Sequence, residues 1–184
     1  MPPKIKITKD NVIETTINLI RINGASSINA RTIANALNCS TQPIFSNFSS
    51  MEELRNSVIK SVYQVYLQYL NDELSKDTYP PYKSYGMAYI HFAKQETELF
   101  KLLFMSDRTS QDLAFTEDFQ TSVEMIMKAT SLSQEKAKLF HLEMWAFVHG
   151  IATMFATSFC AFDWDEISKM ISDVYQGLRL KHLS

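Results

Sequence analysis

Apolar residues recur every three or four positions through most of this chain, which is the spacing of one face of an α-helix. Ile13, Ile17 and Ile20 show the pattern near the N-terminus, and Ile167 and Ile171 show it near the C-terminus. Gly and Pro are scarce, with four and five residues among 184, whereas strands joined by tight turns need more of both. The sequence therefore predicts an all-α fold of about nine helices.

Residues suited to helix ends mark the boundaries of these elements. Asn23-Gly24 predicts the end of the first helix, because Gly accepts a left-handed backbone, and Tyr79-Pro80-Pro81 is the clearest break. The predicted helices span about residues 8–23, 29–37, 40–48, 50–74, 83–94, 97–105, 116–130, 133–159 and 163–180. Their predicted N-terminal capping residues include Thr8, Asn29, Ser40, Ser50, Ser133 and Asp163.

Charge is distributed unevenly along the chain. Residues 1–60 hold seven Lys and Arg and four Asp and Glu, a net of +3, whereas residues 61–184 hold eleven and sixteen, a net of −5. A polyanionic partner is therefore expected to bind the N-terminal part, although sampling variation alone can produce such a difference. Cys39 and Cys160 lie far apart, which predicts free thiols in a reducing compartment.

Membrane insertion is the alternative for one segment. Residues 144–162 contain no Asp, Glu, Lys or Arg, but they include His149 and several Thr and Ser residues, and charged residues flank them. The composition favours a buried helix over a membrane span. Residues 1–10 are basic without an apolar core, so no secretory signal is predicted. A cytoplasmic protein without a membrane partner is expected.

The two short helices before residue 50 are typical of a helix-turn-helix, whose second helix can enter the major groove of DNA. Thr41 and Gln42 lie in the first turn of that second helix, and Gln can form two hydrogen bonds with adenine. The segment 32–51 carries no charge. The predicted DNA-contacting residues are Lys4, Lys6, Lys9, Asn29, Arg31, Ser40, Thr41, Gln42, Phe45, Ser46 and Asn47, and Arg55 is a further candidate for a phosphate contact.

Residues 8–55 resemble the DNA-binding domain of the TetR family of bacterial repressors. The segment NARTIANALNCSTQPIFSNFSSMEEL carries the resemblance, with the Ile33-Ala34 pair, Phe45 and Phe48 in the family's order. It implies a DNA-binding domain over 1–50 and a helical effector-binding and dimerisation domain over 51–184. Two phosphate-binding residues frequent in the family, a Tyr and a Lys, are replaced by Phe45 and Met51.

The segment 145–150 is similar to a Trp-His-Gly signature of one group of TetR-family C-terminal domains, since Trp145 precedes His149 and Gly150. The resemblance also implies a small-molecule effector. Tyr, Phe and Met are abundant from residue 85 to 127, and such side chains line adaptable apolar pockets, although an ordinary core has the same composition. The predicted ligand-binding residues are Tyr89, Phe92, Phe100, Phe104, Phe119 and His149.

The last two predicted helices indicate a homodimer. The first of them is apolar on more than one face and carries small residues, and the second has an apolar spacing of three then four. Two such helices from each copy can form a four-helix bundle, unless they pack only within the monomer. The predicted interface residues are Gly150, Thr153, Trp164, Ile167, Ile171, Val174 and Leu178.

Enzyme motifs are not apparent, since the chain has no Gly-rich phosphate loop, HExxH or GxSxG. His141 and His149 lie eight residues apart and make no predicted metal pair, so neither a metal nor a cofactor is expected. The predicted function is a homodimeric TetR-like repressor that binds a palindromic operator and is released by a small apolar or aromatic ligand. The alternatives are a small-molecule-binding protein that has lost specific DNA binding and an all-α enzyme that uses the pocket.

Overall fold

The computed structural model describes residues 7–106, 115–160 and 162–183. Within these ranges it contains nine α-helices, one short 3-10 turn and no strand, which confirms the predicted all-α fold and helix count. The helices are α1 Lys9–Asn23, α2 Ala30–Ala36, α3 Gln42–Asn47, α4 Met51–Ser75, α5 Pro81–Gln95, α6 Thr97–Phe104, α7 Phe115–Thr130, α8 Gln134–Ala156 and α9 Trp164–Leu183, and the 3-10 turn is Ala25–Ser27.

The chain forms two compact units. The N-terminal unit comprises Met1–Val65 and Glu96–Ser106, and the C-terminal unit comprises Tyr66–Gln95 and Asp107–Ser184. Residues of α4 thus contribute to both units, and α6 belongs to the N-terminal one. The sequence predicts a different boundary at residue 50, between a DNA-binding domain and an effector-binding and dimerisation domain. This functional boundary stays a prediction.

Side-chain caps begin several helices where the sequence predicts them. Thr8 accepts a hydrogen bond from the backbone N–H of Asn11 and forms a capping box at the start of α1. Ser133 caps α8 in the same way, and Asp163 Oδ1 accepts from the N–H of Glu166 at 2.7 Å. These bonds satisfy N–H groups that the first turn of a helix leaves unpaired.

The predicted cap Ser40 is wrong, because α3 begins one residue later than a cap at Ser40 requires. Its N-cap position is Thr41, which has helical backbone angles of φ −70° and ψ −16° and makes no side-chain cap bond. A capping side chain normally needs an extended backbone at that position to reach the N–H groups ahead of it. The N–H groups at the start of α3 are therefore left without a side-chain cap.

The end of α1 follows the sequence prediction. Gly24 has a positive φ of 74°, and its N–H donates to the carbonyl of Ile20 at 2.8 Å. A Cβ at this position would lie 2.9 Å from a carboxylate oxygen of Glu98, which is the end of a flexible side chain and can move, so the positive φ is what favours glycine.

Apolar side chains of α1 to α4 form the core of the N-terminal unit. Val12, Ile33 and Ile44 have no exposed surface, and Phe48 is 1% exposed. Arg21 at the end of α1 adds a two-point ion pair with Glu96, with nitrogen–oxygen distances of 2.8 and 2.9 Å. This pair joins α1 to the residue that precedes α6.

In the C-terminal unit, α8 packs against α5, α7 and α9. Gly86 on α5 lies beside both of the other helices, since a Cβ there would be in ordinary van der Waals contact with Val148 at 3.4 Å and Ile171 at 3.6 Å. Polar contacts also join α5 to α9, because Lys83 Nζ donates to Ser168 and Ser172 at 2.7 and 2.9 Å. The three helices α5, α8 and α9 therefore share one core.

The helix α8 has the length and composition of a membrane span, with a mean hydropathy of 1.2 over its most apolar window. It is the one such helix in the ranges that the structure describes. Core helices of water-soluble proteins pass the same test, and Val148 and Ile151 of α8 are buried in the C-terminal unit. Length and composition alone are therefore weak support for a membrane span.

Candidate DNA-binding and effector sites

The helices α2 and α3 form a helix-turn-helix in the N-terminal unit. The turn between them contains Asn38, which has a positive φ of 50°, a conformation that Asn adopts more readily than most residues. Ile33 and Ala34 of α2 and Ile44 of α3 are buried, and both helices contact α1. Burial of these faces leaves the opposite side of α3 available to a partner.

Several side chains that the sequence predicts to contact DNA are on that outer side. Gln42 and Ser46 are exposed, and the ring of Phe45 is 50% exposed. Arg31 in the first turn of α2 is exposed, and its guanidinium makes no ion pair with any residue described. Ser40 is also exposed and Thr41 is partly exposed, whereas Lys4 and Lys6 lie outside the described residues.

Asn47 has hydrogen-bond partners within the protein, so a DNA contact by its Nδ2 would compete with them. Its Nδ2 donates to the carbonyls of Pro43 at 2.8 Å and Ile7 at 3.2 Å. Both bonds would be lost if the amide turned toward DNA. The side chain instead joins α3 to the residue before α1. The hydroxyl of Ser46 donates to the carbonyl of Gln42 but keeps its exposed position and can still accept a hydrogen bond.

Asn29 and Lys9 have structural partners as well. The Asn29 side-chain oxygen accepts from the backbone N–H groups of Arg31 and Thr32 at 3.0 and 3.1 Å, so it caps α2. Lys9 forms an ion pair with Glu53 at 3.0 Å. A DNA contact by either side chain would compete with these bonds. The structure thus gives Asn29 and Lys9 local structural roles, which are compatible with their positions in the sequence.

The carboxylate of Glu53 holds the start of α4. It accepts from the backbone N–H and the hydroxyl of Ser49, both at 2.7 Å, and from Lys9. These bonds, the backbone bond first, lower the pKa of Glu53 to about 2. Its own N–H donates to Ser50 at 3.1 Å, as the predicted cap requires.

Two Tyr–His hydrogen bonds join α5 to α8 in the C-terminal unit. The Tyr89 hydroxyl lies 2.9 Å from His149 Nδ1, and the Tyr82 hydroxyl lies 3.0 Å from His141 Nδ1. Burial lowers the pKa of both histidines, that of His141 to about 4. Both rings are therefore neutral near pH 7 and can share a proton with the tyrosine hydroxyl in either direction.

The predicted ligand residues Tyr89 and His149 thus meet, and Trp145 joins them. The Trp145 ring stacks on His149, with ring centroids 5.1 Å apart and planes 20° apart. Trp145 and His149 are partly exposed, whereas Tyr89 is 6% exposed. The cluster offers an aromatic face with polar ring atoms, which suits an aromatic ligand with a polar group.

Other predicted ligand residues are placed differently. Phe92 is fully buried against Tyr66 and Tyr69 at centroid distances of 5.5 Å, so its present role is in the core. Phe100 is also fully buried and lies with Phe104 on α6, which belongs to the N-terminal unit. The six predicted residues therefore do not all belong to one compact unit.

Sequence reasoning missed the bond between Tyr82 and His141. Tyr82 and Tyr89 are seven residues apart on α5, and His141 and His149 are eight apart on α8, so each pair spans about two turns. The similar spacing of the two tyrosines and the two histidines was a usable signal, because each tyrosine can meet one histidine if the two helices run in the same direction. Phe119 of α7 packs against His141 at 4.9 Å and completes this part of the unit.

Acid should destabilise the protein through His141. Because burial lowers its pKa from the ordinary 6.5 to about 4, the unfolded chain binds the proton more readily. The contribution of neutral His141 to the free energy of unfolding is fully present above about pH 6.5. It falls as the pH approaches 4, by at most about 3 kcal/mol. His91 and His149 have pKa values shifted in the same direction, so they add to the loss.

Urea unfolding at pH 7.5 and pH 4.5 measures this effect. In His141→Gln the amide can accept from Tyr82 but cannot be protonated, so the loss of unfolding free energy on acidification should shrink. Tyr82→Phe removes the hydroxyl and keeps the imidazole, and it should retain the loss. An unchanged acid response in His141→Gln would assign the loss to other groups.

The predicted dimer interface requires correction on α9. Ile167 and Ile171 are 0% and 3% exposed, because they face the core of the C-terminal unit itself. Trp164, Val174 and Leu178 are only partly exposed. The apolar residues that recur every three or four positions on α9 therefore form a face that the monomer already covers in part.

The residues that the structure describes leave the outer face of α8 uncovered. Leu139 and Leu142 are 50% and 47% exposed, Ala146 is exposed, and a Cβ at Gly150 would meet nothing within 4 Å. The spacing of these residues places them on one side of the helix. The predicted interface residues Gly150 and Thr153 extend this stripe, and the Thr153 hydroxyl is buried without a hydrogen-bond partner among the residues described.

Comparison with known families adds to this geometry. The domain family described as "Tetracyclin repressor-like, C-terminal domain" matches residues 83–170, which include α5 from its third residue, α8 and the segment from Trp145 to Gly150. No curated protein matches the chain. That the C-terminal domain belongs to the Trp-His-Gly group stays a prediction. Residues 83–170 are thus similar to a tetracycline-repressor-like C-terminal domain and a helix-turn-helix precedes them in the chain, which together support membership of the TetR family.

Proposed function

We propose that this protein is a homodimeric cytoplasmic repressor that binds a palindromic DNA operator through α3 and releases it when a small apolar or aromatic molecule binds. The observation that carries the proposal is the outer side of α3, where Gln42, Phe45 and Ser46 are exposed, together with the exposed Arg31 on α2. Residues 1–50 bind DNA in this proposal, and residues 51–184 bind the effector and the second copy.

The chemistry of α3 suits contacts with base edges. Gln42 can form two hydrogen bonds with adenine, and the exposed Phe45 ring can pack on a thymine methyl group. Thr41 and Ser46 can donate or accept a hydrogen bond. Arg31 supplies a charged phosphate contact, and Lys4 and Lys6 provide two further positive charges in the segment before α1.

The second copy is expected on the outer face of α8. A two-fold axis brings the same surface of both copies together, so the α8 stripe of one copy would cover that of the other. Small residues at Gly150 and Ala146 allow the helices to approach closely, while Leu139 and Leu142 supply apolar area.

The effector is expected at the aromatic cluster of Tyr89, Trp145 and His149. A ligand ring that stacks there would perturb Trp145, so saturable quenching of tryptophan fluorescence that disappears in Trp145→Phe would support this location. The effector must bind more tightly to a state that holds DNA poorly, and the operator then weakens effector binding by the same factor.

A gel shift with the DNA upstream of the protein's own gene tests the function directly. Parent protein should shift this DNA at lower concentration than a scrambled duplex of equal length. Arg31→Ala should weaken binding to both duplexes, because a phosphate contact carries no sequence information. The slope of log binding constant against log salt should fall by about 0.9 for one lost phosphate contact.

Lys169→Ala is the matched control, since it removes an exposed positive charge from α9 and should leave the salt slope unchanged. A parent protein that shifts neither duplex would favour a second candidate, a small-molecule-binding protein without specific DNA binding. The observation behind this candidate is the uncharged segment 32–51 together with the engagement of Lys9 by Glu53.

A further inference from the structure

The N-terminal unit contains an apolar cleft of about 120 Å³ that none of the residues predicted for effector binding lines. It lies among α1, the 3-10 turn, α4 and α6. Its apolar lining comes from Ile20, Ile28, Met51, Leu54, Val58 and Leu102. Leu54 and Val58 are 1% and 2% exposed, so they form an apolar floor. A dry apolar cavity of about 150 Å³ is large enough to hold benzene, so this cleft suits a group of about that size.

One charged residue lines this cleft. Arg55 is exposed, and it forms no ion pair or hydrogen bond with any residue that the structure describes. The carboxylates of Glu53, Glu96 and Glu98 in the same unit are each engaged by a different cation. A guanidinium beside an apolar cleft matches a ligand with an apolar body and a planar anionic head, because Arg binds a carboxylate through two parallel hydrogen bonds.

We propose that this cleft binds a small aromatic monocarboxylate of about the size of benzoate, with the ring on Leu54 and Val58 and the carboxylate on Arg55. The site is separate from the aromatic cluster of the C-terminal unit and does not depend on it. The other polar lining residues are Thr16 and Asn29. The Thr16 hydroxyl already donates to the carbonyl of Val12 at 2.7 Å, which leaves Arg55 as the group that selects for charge.

The position of the cleft gives such a ligand a direct effect on the helix-turn-helix. Asn29 lines the cleft, and its side chain caps α2. A ligand in contact with Asn29 therefore acts on the residue that fixes where α2 begins. It would also neutralise Arg55, one of the positive charges of the N-terminal part of the chain.

Fluorine NMR titration of the full chain with 4-fluorobenzoate tests the site, and 4-fluorobenzamide is the neutral probe of matched shape. The carboxylate should bind saturably, and the amide should bind about tenfold more weakly, because a charge-assisted hydrogen bond contributes that factor or more. Arg55→Gln should weaken carboxylate binding about tenfold and remove the preference between the probes, whereas Arg55→Lys should retain part of it. Arg179→Gln, which changes an exposed arginine of α9, should bind both probes as the parent does.

Ala25→Leu tests the cleft itself, because Ala25 is a lining residue and a larger side chain there fills the space. Both probes should lose binding, while circular dichroism shows that the helices remain. Ile28→Phe serves the same purpose if Ala25→Leu does not fold. The proposal is overturned if neither probe binds the parent, if both bind it equally, or if binding survives Arg55→Gln and the folded cleft-filling variant. None of these measurements involves DNA, so the result is independent of operator binding.

Discussion

Replacing Ala146 with glutamate should convert the proposed dimer into a monomer. Ala146 is exposed on the outer face of α8, between the exposed Leu142 and Gly150, where each copy would cover the other. A two-fold axis would bury two carboxylates in one apolar interface without partners. Each unpaired buried charge costs several kcal/mol, so the dissociation constant should rise by about a thousandfold or more.

Sedimentation velocity at micromolar concentration distinguishes the two states by mass. Ala129→Glu on α7 is the matched control, since it makes the same change at an exposed helical position away from the stripe, and it should remain dimeric. A parent protein that sediments as a monomer would end the dimer proposal. A dimeric Ala146→Glu would move the interface to another surface.

Gln42→Ala should weaken operator binding by about 1–3 kcal/mol, which is a loss of roughly five- to a hundredfold. The exposed Gln42 amide can form two hydrogen bonds with a base, and alanine can form neither. Thr41→Ala should cost less if its hydroxyl makes a single contact. If the two residues contact separate bases, the double variant should lose about the sum.

Binding curves on the operator and on a scrambled duplex measure this effect, because a lost base contact weakens the first and spares the second. Gln64→Ala on α4 is the control, since it removes an exposed glutamine from another helix of the N-terminal unit. Equal losses on both duplexes would assign Gln42 to the DNA backbone. No loss on either duplex would mean that another surface of α3, or another element, contacts the operator.

Most helix starts could be predicted because the signal for each is contained in a few neighbouring residues. Thr8, Asn29 and Ser133 cap helices with side chains that bond N–H groups two or three residues ahead. Ser40 shows the limit of this reasoning. A serine before a short helix is a sufficient signal only if the backbone is extended there, and the turn between α2 and α3 instead places Thr41 in a helical conformation.

Which residues can contact DNA depends on both the local sequence and the tertiary structure. The sequence alone indicates a polar first turn of α3, and the structure agrees that Gln42 is exposed. Asn47 has the same residue chemistry, but it bonds the carbonyl of Ile7, forty residues earlier. Whether an amide faces DNA or the protein is decided by which backbone groups the fold brings beside it, and no local pattern contains that information.

The C-terminal helices show which features follow from local spacing and which depend on the fold. The spacing of Ile167 and Ile171 determined that one face of α9 is buried, because water excludes an apolar stripe whatever covers it. Only the packing of α5 and α8 decided that the cover lies within the same chain. The bond between Tyr82 and His141 likewise joins residues 59 positions apart. Periodicity records which side of a helix avoids water, but the identity of its neighbour follows from the assembly of all the helices.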